Sequence, residues 1–210
     1  MNGVPLAALY VFVGSPAATM MLEEMIASGA RSVVELGYCG GVSPSVKAGD
    51  IILAKEAFAD EGTSGHYFES PKRFRASTEL TKRVEETLMK EGVHYKAGGI
   101  WTTDAPYRET KSKLLHFRNK GALGVNMESS ALFALGEYRR VNVASLQVVS
   151  DHLGEGDWSP SWHLPEVTTS LSKAAKVAVD ALVTSKVNTS RLASTGPRRG
   201  SKPSSESQAR

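Results

Sequence analysis

The feature that most constrains the fold is an alternation of two periods. Apolar runs too short to be helices, "SVVELG", "DIILAKEAFA", "KAGGIWTTD", "ALGVNM" and "NVASLQVVSD", are separated by longer segments whose apolar residues recur every three to four positions. The short runs predict buried strands and the longer segments amphipathic helices, and their alternation predicts an α/β fold around a largely parallel sheet. Helices are expected over 16–28, 77–91, 109–119 and 166–183, with another opening in "VNMESSALFAL", residues 125–135. Residues 7–13, within "VPLAALYVFVG", read as a first strand, and "DEGTSGHYF" as a loop. In an open sheet of this kind ligands sit beyond the carboxyl ends of the strands. Four such ends carry small or polar residues, "GYCGG", "TTDAPYRE", "NMES" and "SDH", and one crevice would gather them.

A chain of 210 residues with 41% hydrophobic and 22% charged residues has the composition of one globular domain, here residues 1–185. The net charge of +3 does not describe that domain. From Lys186 onward six Lys or Arg stand against the single acid Glu206, so residues 186–210 are basic and the body is slightly acidic. No specific nucleic-acid partner is therefore expected. The tail, rich in Ser, Pro, Gly and Arg and free of aromatic residues, is expected to be disordered, its "RRGSK" being either a weak polyanion-binding arm or solvated chain.

Cys39 is the only cysteine, which excludes an intramolecular disulfide and a cysteine metal cage and fits a reducing, cytoplasmic setting. The apolar opening imitates a signal peptide, but no Lys or Arg precedes it and an acidic helix follows; a buried strand is the expectation. No apolar run is long enough to span a bilayer, and the five histidines show no metal-ligand spacing. Neither a metal nor another cofactor is expected.

Two acids stand out. Asp151 ends an apolar strand, where partial withdrawal from water suits a general acid, although an Asp there could equally cap the next turn. Glu128 lies among Val125, Met127, Ala131 and Leu132, where a glutamate needs either a partner or the positive end of a helix dipole. Cys39 has no adjacent His and reads as a small packing residue.

Taken together, "VGSPAATMMLEEM", "VVELGYCGGVSPSVKAGDIILAKEA", "GGIWTTDAPYRE" and "GVNMESSALFALGEYRRVNVASLQVVSDH" resemble the nucleoside phosphorylase superfamily of purine nucleoside and uridine phosphorylases, which also contains methylthioadenosine/S-adenosylhomocysteine nucleosidase. The likeness runs in register from about residue 10 to 183. It implies a three-layer α/β fold, a central mixed or parallel sheet flanked by helices, and a homo-oligomer. It also implies an enzyme that splits the N-glycosidic bond of a nucleoside, with inorganic phosphate as co-substrate. By the same resemblance Met127 packs on the ribose beside Asn126, Glu128 accepts from its hydroxyls, and Asp151, preceded by Ser150, protonates a departing purine. Pro106 and Tyr107 fall where relatives hold the base, and Cys39 and Gly40 on a loop beside sugar and base.

Two departures concern phosphate. Where relatives carry an Arg and a small hydroxyl around this glycine turn, the chain has Glu35 and Tyr38. At about 4 Å and an effective dielectric near 20, two like charges repel by roughly 4 kcal/mol, enough to empty an anion site. By the same resemblance, the family's additional amino-terminal strand and its phosphate loop are expected to be missing from this sequence. Arg108 is the nearest local cation, able to meet an anion or to form a surface ion pair. Three activities stay open: phosphorolysis, hydrolysis without phosphate, and nucleoside binding by a non-catalytic paralogue.

Overall fold

The structure is a computed structural model, and it describes residues 4–70, 72–153 and 158–183. The expected tail lies outside the described residues. Five long strands are present: β1 (Ser32–Gly41), β2 (Ile51–Asp60), β4 (Lys96–Thr103), β5 (Ala122–Asn126) and β6 (Asn142–Leu153). Two three-residue strands, β3 (Arg73–Arg75) and β7 (Trp158–Pro160), pair antiparallel on the edges of β2 and β6. The sheet is mixed: β1 with β6, β2 with β4 and β4 with β5 are parallel.

The open sheet expected from the sequence is corrected by two antiparallel pairings. Ile51–Ala54 of β2 pair with Ser145–Val148 of β6, and Gly40 and Gly41 of β1 pair with Val125 and Gly124 of β5. The five long strands thereby close into a ring. The second pairing joins two carboxyl ends, so the strand ends carrying polar residues meet at one corner instead of lining one edge.

The helices cover the ring on several sides. α1 (Ser15–Ala27) and α4 (Ser129–Arg139) bury Ala18, Leu22, Leu132 and Phe133 with Ile52 and Ile100. Across the sheet α2 (Thr78–Lys90) and α5 (Pro165–Val183) bury Leu80, Val84, Leu88, Val167 and Val177 against Leu53, Leu146 and Val148. α3 (Lys111–Asn119) packs Leu114 and Phe117 on Phe58 and Trp101. α2 shows how local sequence sets such a helix: Ser77 accepts from the Leu80 N–H as N-cap, and Leu80, Val84 and Leu88 keep one face apolar.

Residues 7–13 form no strand, which corrects the expectation. Leu6, Leu9, Tyr10, Phe12 and Val13 are exposed, and only Val11 packs against the core. The physical reason is the want of a partner: an extended segment gains backbone hydrogen bonds only beside another strand edge, and among the described residues none of the sheet pairings includes it.

Candidate active site

The corner is organised around Gly40. In register it faces Asp151 of β6 on one side and Val125 of β5 on the other, so these two residues stand about two strand spacings, roughly 10 Å, apart. A Cβ on Gly40 would lie 3.1 Å from Asp151 Oδ2 and 3.2 Å from Val125 Cγ1. The absent side chain therefore leaves room for the carboxylate. Gly40 and Cys39 belong to β1 with a bulge between them, and not to a loop as expected.

Asp151 is held from both sides. The Ser150 hydroxyl donates to its Oδ1 at 2.7 Å and the Trp158 indole N–H to its Oδ2 at 2.8 Å. Glu109 lies close enough to feel it: burial, and secondarily the charge of Asp151, push the Glu109 carboxyl up to about 7. Nothing in the sequence pointed to Glu109, which ends the exposed turn Pro106–Arg108. Tyr107 in that turn is fully exposed, and neither it nor Pro106 packs on the corner within this chain.

On the other side Asn126 is a buried hub. Its Oδ1 accepts from the Thr102 hydroxyl at 3.1 Å and from the backbone N–H groups of Glu128 and Ser129 at 3.4 and 3.3 Å. Asn126 thus satisfies the amino-terminal donors of α4, and Glu128 makes no side-chain cap of its own. The Glu128 carboxylate turns back instead, accepting from Gly14 N at 2.8 Å through Oε1 and from Met127 N at 3.0 Å through Oε2. Ser15 adds a bond from its hydroxyl to the Met127 carbonyl at 2.7 Å. Gly14 has φ of 111°, a region L side chains rarely enter, which suits a glycine at this tie.

Glu35 lies beneath this hub. Its carboxylate accepts from Ser129 Oγ at 2.7 Å and Asn126 Nδ2 at 3.2 Å, and burial followed by the charge of Glu128 pushes it up to about 7. Cys39 is buried, and burial followed by the charges of Asp151 and Glu35 drives its thiol upward, so it packs and does not attack. Tyr38 is half exposed on β1. Electrostatically the four carboxyls are linked in pairs: Glu128 acts on Glu35, Asp151 on Glu109, and both Asp151 and Glu35 on Cys39. Among the described residues none of the four forms an ion pair with Lys or Arg. A hollow of about 390 Å³ lined by Arg75, Ser77, Phe133, Arg140 and Asn142 lies elsewhere and includes none of them; the chemistry stays with the corner.

The Phosphorylase superfamily profile matches residues 1–184. The chain belongs to that superfamily. A DeoD-type purine nucleoside phosphorylase of Bacillus cereus is 29% identical over 176 residues, 81% of this chain and 72% of the relative, and one from Bacillus mycoides matches to the same extent. A uridine phosphorylase from Vibrio fischeri superposes with a TM-score of 0.72 at 26% identity, covering 83% of this chain and 72% of the other. An AMP nucleosidase from Bacteroides thetaiotaomicron, at 22% identity and a TM-score of 0.70 over 85% and 71% of the two chains, shares the fold. An enzyme of the nucleoside phosphorylase superfamily is what these likenesses support. Among the described residues no helix is long and apolar enough to cross a membrane.

Proposed function

We propose that the chain cleaves the N-glycosidic bond of a purine nucleoside as a nucleoside phosphorylase-type enzyme. The observation that carries this is the convergence of Asp151 and the Asn126–Glu128 turn on opposite sides of Gly40. As the bond from C1′ to the base nitrogen breaks, its electron pair leaves with the base and positive charge gathers on the ribose. Asp151 is the group placed to pass a proton to the base; Glu128 accepts from the ribose hydroxyls and faces the growing positive charge. Glu109, pushed up to about 7 beside Asp151, holds a proton in the site that can reach the base through Asp151. C1′ is then captured by an oxygen of phosphate, giving ribose 1-phosphate, or of water, giving ribose and releasing a proton. The proposal extends to a homo-oligomer, as in the superfamily the chain resembles.

One observation favours water. Glu35 stands where the resemblance places an Arg, and none of Glu35, Glu109, Glu128 and Asp151 is paired with a Lys or Arg among the described residues, so these residues offer phosphate no counter-charge. Inosine and adenosine incubated with and without inorganic phosphate decide between the acceptors. Base release that requires phosphate and yields ribose 1-phosphate is phosphorolysis; release at equal rate without it, yielding ribose, is hydrolysis. In either case Asp151→Asn is expected to lower kcat by about 10²–10⁴-fold while substrate still binds, because a general acid acts only as charge develops on the leaving base. A variant within a few-fold of wild type makes Asp151 a structural residue.

A further inference from the structure

Beside Asp151 stands an aromatic pair that the reaction as described does not use. Of the three tryptophans, Trp101 is fully buried and stacked on Phe117 with ring centroids 4.7 Å apart. Trp158 and Trp162 are 57% and 52% exposed, lie 5.3 Å apart and are inclined by 45°. Neither belongs to any of the three apolar clusters. Tryptophan carries more apolar surface than any other side chain, and two left open side by side keep a large apolar area in water unless something flat covers them.

Their position says what that is. β7 pairs with the end of β6 so that Leu153 faces Trp158 and Asp151 faces Pro160, and the Trp158 indole N–H donates to Asp151 Oδ2 at 2.8 Å. Trp162 follows in the turn that leads to α5. One of the two open rings, that of Trp158, is thus fastened to the carboxylate assigned to the leaving group, and Trp162 lies against it. We propose that Trp158 and Trp162 form the stacking wall for the base, and that Trp158 also fixes Asp151 through its indole N–H, so that the leaving group is a flat heteroaromatic base. The proposal rests on the cleavage of a nucleoside for its substrate and adds the residues that select it. Trp162 acts through its ring; Trp158 acts through both ring and N–H, as a positioning residue for Asp151.

The two roles separate in substitutions. Base–aromatic stacking is ordinarily lost as about 5- to 150-fold in affinity, so Trp162→Ala is expected to weaken adenine, measured by calorimetry on the full chain, and to raise KM by that order with kcat little changed. Trp162→Phe should restore most of both. Trp158→Phe keeps a ring and removes the N–H, so KM should hold within a few-fold while kcat falls by about 10- to 150-fold, the ordinary loss of a hydrogen bond to a charged group. Wild-type adenine affinity in Trp162→Ala, unchanged kcat in Trp158→Phe, or no binding of adenine, hypoxanthine or uracil by the wild type would each overturn the proposal. If adenine binds in a Trp162-dependent way but no nucleoside is cleaved, the wall stands and the cleavage activity fails. If nucleosides are cleaved with a KM indifferent to Trp162→Ala, the cleavage activity stands and the wall fails.

Discussion

The two oxygens of Glu128 accept from the backbone N–H groups of Gly14 and Met127, and each keeps a second lone-pair direction free for a sugar hydroxyl. Glu128→Gln removes the charge and one acceptor. A riboside is then expected to lose about 1.5–3 kcal/mol of binding, the usual worth of hydrogen bonds to a charged group, whereas the 2′,3′-dideoxy analogue, which offers no such donors, loses far less. Calorimetric titration of the pair checks this; equal losses would mean that Glu128 serves only to hold Gly14. At this scale the sequence revealed Glu128 and Asp151 because each is an acid set among apolar neighbours. Glu109 gave no such signal, since "YRET" reads as solvated surface, and its place beside Asp151 depends on how the chain folds around it. Trp158 was legible in principle: two tryptophans in the polar stretch "GEGDWSPSW" are hard to explain as core.

At the level of elements, the entry to α4 ties sheet to helix. Asn126 at the end of β5 caps α4, bonds Thr102 of β4 and reaches Glu35 of β1, so one side chain joins three strands and a helix. Asn126→Ala should cost about 2–3 kcal/mol in urea denaturation, a lost cap together with buried groups left unsatisfied. Asn126→Asp keeps the capping acceptor but sets a carboxylate against Glu35, and its deficit is expected to be larger at pH 8 than at pH 5. A deficit independent of pH would break the link to Glu35. The long strands and helices were legible because each carries its own period over a run of residues long enough to show it. β3 and β7, three residues each, are too short to show one, and the closing pairs β1–β5 and β2–β6 depend on partners far along the chain. Residues 7–13 mislead for the converse reason: they have the composition of a strand and, among the described residues, no strand pairs with them.

For the molecule as a whole, the buried carboxyls set how stability depends on pH. Glu35 and Glu109 are raised from 4.5 to about 7, so between those values the native state holds protons that the unfolded chain has released. Stability therefore falls as pH rises from about 4.5 to 7 and levels off above. Glu35→Gln removes one of these protons from the balance while keeping an acceptor for Ser129. Its denaturation midpoint should vary less with pH, with a gain at pH 8 on the order of 1–3 kcal/mol. A slope like that of the wild type would place the Glu35 titration elsewhere. The bond from Gly14 to Glu128 has a different bearing. The residues before α1 are moored to the domain through the very carboxylate that would meet a sugar, and their exposed Tyr10 and Phe12 are natural points of attack for chymotrypsin. A bound nucleoside that steadies Glu128 should slow that cut, which would make digestion of the amino-terminal segment a built-in gauge of whether the ribose site is filled.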